Sequence, residues 1–286
     1  MKKMRLIGTI LCAGMIVVSA CKKKEKEPDT PAEAFYNVSY GADPRNVMDV
    51  HLPENRSADS TKVMVFIHGG GWTSGNKTDI TGYLSTFKKN LPNYAIVTVN
   101  YRLCSNNPSY INGFPTQEED IQQALEFIKA SSSEWQISNK KIVLVGMSAG
   151  AHLSLLQAYK HNSDQSIKAV AAFFPPTHLA EGYDNLPASK ALIELVTGGT
   201  PNDVPQVYFE SSPANYTNTA VPTILFHGVN DDVVPIAQSI LLKDSLFSKG
   251  KIVNMIIVPT QGHGFTAAKY VETIGQIGVF FSTHNP

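Results

Sequence analysis

Cysteine is scarce in this chain: Cys12, Cys21 and Cys104 are the whole complement in 286 residues. Two of the three fall within the first 21 residues, so the body of the chain carries Cys104 alone and no internal disulfide can brace it. Stability must then come from a buried core, which a chain with 43% apolar residues can supply. Cys104 has no neighbouring ligand spacing, reads as a small packed side chain, and gives no reason to expect a metal. Net charge is missing as well. The 24 Lys and Arg cancel the 24 Asp and Glu, which removes the electrostatic case for nucleic acid or an acidic partner. Internal repeats and low-complexity tracts are absent, and one large α/β domain suits the length as well as two small ones.

The N-terminal apolar run is also too short to span a bilayer. Leu6 to Val18 follows the positive Lys2, Lys3 and Arg5, and falls below the about 20 residues that a transmembrane helix needs. This is the layout of a signal peptide over residues 1–20. It closes in Val18-Ser19-Ala20-Cys21, which resembles the lipobox of bacterial lipoproteins. The resemblance implies cleavage before Cys21, a lipid on that cysteine, and a chain held to a membrane of the cell envelope, outside the cytoplasm. An ordinary secretory signal that happens to contain a cysteine is the alternative. Residues 21–34, with Lys22, Lys23, Lys24 and Lys26 and few large apolar side chains, read as a flexible tether. Residues 35–286 then form one folded domain.

Within that domain Tyr36 to Tyr40 and Val47 to Leu52 are expected as opening strands. Val63 to Ile67 and Tyr94 to Val99 are continuous apolar runs, the pattern of strands covered on both faces of a parallel sheet. A helix follows, in which Thr116 and Glu119 have capping-box spacing and Ile121, Ala124, Leu125 and Ile128 share one face. From residue 178 to 220 the pattern weakens. One helix, Ala191 to Val196, is expected there, in an insertion over the carboxyl edge of the sheet. Alternation resumes with strands at Thr223–Phe226 and Ile252–Val258 and helices at Ile236–Phe247 and Ala267–Phe281. Repeated strand–helix alternation predicts a mostly parallel central sheet with helices on both faces.

The chemistry centres on Lys141-Ile142-Val143-Leu144-Val145-Gly146-Met147-Ser148-Ala149-Gly150. An apolar run ends in G-x-S-x-G, and an Ala- and Leu-rich helical segment follows at once. That is strand, sharp turn and helix, with Ser148 at the apex as the candidate nucleophile. A serine hydroxyl needs a base, the base needs an orienting acid, and the oxyanion needs donors already in place. His263, in Gln261-Gly262-His263-Gly264-Phe265 after the last strand, is the candidate base. His152 sits one helical turn past Ser148 and reads as structural or supporting, and His51 as structural; His161, His178 and His284 have no context. For the acid, Asp231 and Asp232 both follow the preceding strand. The spacing from His227-Gly228 favours Asp231, while Asp232 could cap the next helix. For the oxyanion, the backbone N–H of Ala149 and those of Gly70 and Gly71 are the candidates, because glycine lets backbone approach a substrate closely. Neither a G-x-x-x-x-G-K-[ST] loop nor a helix-opening G-x-G-x-x-G is present to make the glycines a phosphate site. Trp72 fits a core position or the acyl pocket equally well.

Taken together, His68-Gly69-Gly70-Gly71-Trp72, Asn100-Tyr101-Arg102-Leu103, Gly146-Met147-Ser148-Ala149-Gly150 with Ala151-His152-Leu153, and Gly198-Gly199 before Ser212-Pro213 resemble the α/β-hydrolase superfamily. Within it, the chain is similar to bacterial carboxylesterases of the feruloyl-esterase-like and hormone-sensitive-lipase-like branch, over nearly all of residues 36–281. The resemblance implies the α/β-hydrolase fold, a triad in the order Ser148, Asp231, His263, an oxyanion hole at Gly70, Gly71 and Ala149, and no cofactor. The expected activity is hydrolysis of carboxylic esters with short acyl groups, such as acetyl or feruloyl groups on a polysaccharide. Where the lipase-like relatives carry Pro-Glu after Tyr-Arg-Leu, this chain has Cys104-Ser105-Asn106-Asn107, so a different pocket wall is expected. Two other readings compete. One is an amidase, arylformamidase or peptidase of the same superfamily, since kynurenine formamidases also carry His-Gly-Gly-x-Trp; residues 22–60 are too few for the propeller of a prolyl oligopeptidase. The other is a lipoprotein that keeps the fold as a non-catalytic binding module.

Overall fold

The computed structural model describes residues 30–107, 109–185 and 189–286. The expected signal peptide, the lipidated Cys21 and the tether as far as residue 29 lie outside the described residues. Strands β1 (Glu33–Ser39) and β2 (Val47–Leu52) form an antiparallel pair. Next come β3 (Lys62–Ile67), a 3-10 helix (Lys77–Tyr83), α1 (Leu84–Asn90), β4 (Tyr94–Val99), α2 (Thr116–Ala130) and α3 (Ser132–Trp135). β5 (Ile142–Met147) runs into α4 (Ala149–Lys160). After β6 (Ile167–Phe173) lie α5 (Leu179–Asn185), α6 (Lys190–Thr197), α7 (Pro205–Glu210) and a second 3-10 helix (Pro213–Thr219). β7 (Thr223–Gly228), α8 (Ala237–Ser248), β8 (Val253–Val258) and α9 (Ala267–His284) follow.

The strands form one eight-stranded sheet in the order β1-β2-β4-β3-β5-β6-β7-β8. β2 is antiparallel to β4, and the pairings from β4 through β3, β5, β6 and β7 to β8 are all parallel. This is the α/β architecture that the alternating pattern predicts. The continuous apolar runs are explained by two cores: Val63, Val65 and Ile67 of β3 join the one that includes α2 and α4, while Met64 and Phe66 join the one that includes α1 and α9. Successive strand residues point to opposite faces, so both sets must be apolar. Full burial of each such side chain stabilises the fold by about 1.5–3 kcal/mol. The parallel strands end at one edge, where the loops carrying the candidate residues gather.

Several local expectations are corrected. β1 begins at Glu33, so residues 33 and 34 of the expected tether are strand, held by pairing of Glu33 with Leu52 and Ala34 with His51 and by an ion pair from Glu33 to Arg56. The capping box at Thr116 does not form. Pro115 is the N-cap, and backbone oxygens of Gly113 and Pro115 take the N–H groups of Thr116 and Glu119 at 3.0 Å each, so no side-chain cap is required. Asp232 is exposed and does not cap α8, whose N-cap Ile236 has no side-chain bond. Among the described residues between 178 and 220 there are three α-helices and a 3-10 helix, rather than the one helix expected. α5 and α7 are only 7 and 6 residues long, too short to show an apolar period.

Candidate active site

β5 ends at Met147 and α4 begins at Ala149, which leaves Ser148 as a one-residue turn at φ 52°, ψ −119°. Non-glycine residues rarely adopt a positive φ, and the surroundings hold this one there. A Cβ on Gly146 would lie 2.3 Å from the Gly150 oxygen, and one on Gly150 would lie 2.1 Å from the Ile67 oxygen. Only glycine fits at either place. Ser148 N donates to Phe173 O at 2.9 Å and Ser148 O accepts from His152 N at 3.0 Å, tying the turn to β6 and α4. Ser148 lines a cavity of about 460 Å³.

His263 reaches Ser148 from the loop after β8. Its Nε2 lies 2.9 Å from Ser148 Oγ, and its Nδ1 lies 2.9 Å from Asp231 Oδ2 and 3.1 Å from Oδ1. A carboxylate only accepts, so Nδ1 carries the proton and Nε2 is left to accept from the hydroxyl. The loop is tight: Gly264 N bonds Gly262 O at 2.9 Å across the histidine. Asp231 has a fully buried side chain. Burial alone would raise its carboxyl, but hydrogen bonds from His227, His263 and the Val234 N–H outweigh that and hold it well below the usual carboxylate range. The ambiguity between the two acids is thereby resolved in geometry: Asp231 meets the imidazole and Asp232 does not.

The glycine loop after β3 forms the facing wall. Gly70 and Gly71 take φ of 100° and 57°, and Trp72 follows at 59°. The Gly70 carbonyl accepts from Thr73 N, Ser74 N and Ser74 Oγ at 3.1, 3.0 and 2.9 Å, which closes the loop on itself. The N–H groups of Gly70, Gly71 and Ala149 meet no protein acceptor among the described residues, and both glycines line the cavity. Beneath the loop, Tyr101 Oη donates to His68 O at 3.0 Å and Gly69 O at 3.2 Å. The His68 ring stacks on Tyr101 with centroids 4.2 Å apart, donates Nδ1–H to Gly69 O at 2.7 Å, and faces the Arg45 guanidinium. Burial pulls the His68 imidazole down to about 4, so it is neutral at pH 7.

Of the candidate site residues, Ser148, His263, Gly70 and Gly71 line one cavity, Asp231 reaches it through His263, and Ala149 directly follows Ser148. His152 is a support: Trp72 Nε1 donates to its Nδ1 at 3.3 Å, and its Nε2–H bonds Ser211 O at 2.6 Å. Burial also lowers this imidazole to about 4. Trp72 thus both lines the cavity and belongs to the core. His51 is buried in β2, while His161 pairs with Glu118 and His284 packs on Phe280, all away from the cavity. His178 accepts from Glu181 N. The expected change of pocket wall at Cys104–Asn107 is not found. Those residues do not line the cavity; Cys104 sits behind Trp72, donating its N–H to Trp72 O at 2.9 Å. The wall is instead supplied by Ser189, Leu192 and Ile193 of the 178–220 segment. One residue escaped the sequence reading. Buried His227 lies 3.3 Å from Asp231 Oδ2 through Nε2, which also donates to Val234 O at 2.8 Å, while Nδ1 accepts from Ser239 Oγ at 2.7 Å. Its position four residues before Asp231 at a strand end was the available signal.

Residues 48–246, which include the glycine loop, the Ser148 turn and Asp231, match the BD-FAE family. The chain belongs to the BD-FAE family. Among curated relatives of this BD-FAE chain, esterase LipC of Mycobacterium tuberculosis is 25% identical over 246 residues, covering 80% of this chain and 59% of its own length. A probable carboxylic ester hydrolase of the same organism, LipM, is 30% identical over 218 residues, covering 71% of this chain and 49% of the relative. The chain thus spans about half to six tenths of the length of these relatives. Among solved structures, the bifunctional GH43-CE protein of Bacteroides eggerthii superposes with TM-score 0.75 at 23% identity, covering 88% of this chain and 38% of that one. A truncated carbohydrate esterase from gut microbiota gives TM-score 0.74 at 22% identity, covering 89% of this chain and 98% of that one. These likenesses establish the α/β-hydrolase fold.

Proposed function

We propose that this BD-FAE chain is a serine carboxylesterase that works through an acyl-enzyme. The observation that carries the reading is one imidazole lying 2.9 Å from both Ser148 Oγ and Asp231 Oδ2, on a cavity lined by Gly70 and Gly71, whose N–H groups have no protein acceptor among the described residues. Ser148 Oγ attacks the ester carbonyl carbon while its proton passes to His263 Nε2. The carbonyl oxygen becomes an oxyanion facing the N–H groups of Gly70, Gly71 and Ala149, with the α4 N-terminus adding partial positive charge. Collapse breaks the bond to the alcohol oxygen, which takes the proton from His263. Water then attacks the acyl-enzyme by the same route, releasing the acid and restoring the hydroxyl. Asp231 holds Nδ1–H and offsets the imidazolium charge.

The names of the relatives, an esterase, a carboxylic ester hydrolase and a carbohydrate esterase, favour esters over amides. We take acetyl or feruloyl esters of a polysaccharide as the substrate class. Ser148→Ala should lower turnover of p-nitrophenyl acetate by about 10⁴-fold or more; turnover equal to wild type rules the reading out. Faster release of formate from formylkynurenine than of acid from acetylated xylan or feruloyl esters would favour the formamidase reading instead. Anchoring in the cell envelope is a further part of the proposal, supported by the Val18–Cys21 motif. Labelled palmitate should enter the full chain and not its Cys21→Ala variant, and equal labelling would remove this part.

A further inference from the structure

A second, smaller chamber adjoins the cavity of Ser148. Its volume is about 160 Å³, and it shares Phe66, Asp79, Met147 and Tyr270 with that cavity. Met147 is the residue before Ser148, so the shared rim begins next to the nucleophile. Ile80 and Ile274 line the chamber and not the larger cavity, and both belong to the apolar face that packs α1 and α9 onto the sheet. Nothing in the proposed mechanism uses this space.

An ester bound at Ser148 has two arms, and only one suits the chamber. A sugar alcohol carries hydroxyls around its whole ring, and an apolar wall would leave them desolvated and unpaired. It is also the arm that must leave. The acyl arm stays bonded to Ser148 Oγ until water arrives, so a mainly apolar side chamber can hold it through both half-reactions. Size sets a limit, because a dry cavity of about 150 Å³ lined by aliphatic and aromatic side chains holds one benzene ring. Charge sets another. Among the described residues Asp79 is the one carboxylate lining either space and no Lys or Arg lines them; its Oδ2 is fixed by Asn76 N at 3.1 Å. An anionic acyl group would meet this carboxylate at the rim without a counter-charge.

Resting on the ester-hydrolase reading above, we propose that the chamber is the acyl-binding site, takes a neutral acyl group no larger than a single ring, which selects the acetyl and not the larger feruloyl end of that substrate class, and has Ile80 and Ile274 as the stop that sets the longest acyl group turned over. The test is kcat/KM for p-nitrophenyl acetate, butyrate, hexanoate and benzoate with the full chain, Ile274→Phe and Ile274→Ala. Filling the chamber with Ile274→Phe should lower hexanoate and benzoate at least tenfold relative to acetate. Ile274→Ala, which adds space and no bulk, should raise hexanoate relative to acetate in a protein that folds even where Phe does not. A second series holds the acyl group as acetate and varies the alcohol through methyl, phenyl and naphthyl; both variants should leave its ratios unchanged. Acyl ratios that do not move in either variant, or alcohol ratios that move in their place, overturn the assignment while leaving the hydrolase intact. Absence of turnover for every ester in the wild-type chain overturns the hydrolase reading and this inference together.

Discussion

Ser148 stands between two flanks built in opposite ways. On one, Asp231 and His263 sit on short loops after neighbouring strands, and backbone bonds place them: Asn230 N to Gln261 O and Val229 N to Val258 O at 3.0 Å, and Gly264 N to Gly262 O at 2.9 Å. Strand register sets that flank. On the other, the glycine loop is propped by buried side chains from remote parts of the chain. Tyr101 and His68 lie beneath it, Arg45 braces them through Tyr101 O at 2.8 Å and Gly75 O at 3.0 Å, and Trp72 is fixed through His152 to Ser211. A flank held by backbone can lose its chemistry and keep its shape. A flank held by a buried polar network loses shape when one member fails, because a half-satisfied network in low dielectric is costly.

The sharpest way to break this contrast is Asp231→Asn. The amide cannot hold the same imidazole tautomer, so kcat should fall about 10⁴-fold while circular dichroism stays that of the wild type. Loss below tenfold would show that Asp231 is not the orienting acid. Acid should act on the other flank. His68 and His152 titrate near 4 in the fold, against about 6.5 when unfolded, so between those values the unfolded chain binds more protons. Stability then falls as pH drops from about 6.5 to 4, by on the order of 3 kcal/mol at most for each histidine. Asp231 behaves differently: its folded value is depressed, so its contribution is full above the unfolded value near 4 and is lost only as pH falls toward the folded one. Urea midpoints at pH 7, 5.5 and 4.5 should decline steeply in the wild type and less in His152→Gln. A flat wild-type profile would contradict the assignment. The smallest expected effect is Tyr101→Phe. Removing the hydroxyl shared by His68 O and Gly69 O should cost about 1–2 kcal/mol in thermal unfolding and less than tenfold in kcat. No change in either would show that the loop needs no prop from below.

The two flanks were also unequally legible in the sequence. Gly262 and Gly264 around His263, the two aspartates after a strand, and the G-x-S-x-G turn are local patterns, and they pointed to His263, to Asp231 or Asp232, and to Ser148 as candidates. The supports of the glycine loop are not local. Tyr101 meets His68 across 33 positions, Trp72 meets His152 across 80, and His152 meets Ser211 across 59. Composition and periodicity carry no record of such pairings. The short helices α5 and α7 lie below the length at which an apolar period shows, and α2 is capped by backbone carbonyls, which no side-chain pattern reports.

By itself the sequence determined most of the strand and helix order, the two-faced burial of the parallel strands and the candidates for nucleophile, base and acid. Apolar period and turn chemistry act over a few residues and survive being read in one dimension. The tertiary structure settled between two adjacent aspartates by bringing Asp231 and not Asp232 to His263, and it alone decided that His227 lies against that acid and that a small, mainly apolar chamber adjoins the Ser148 cavity. Each of those depends on distances between segments far apart in the chain, which exist only once the core has closed.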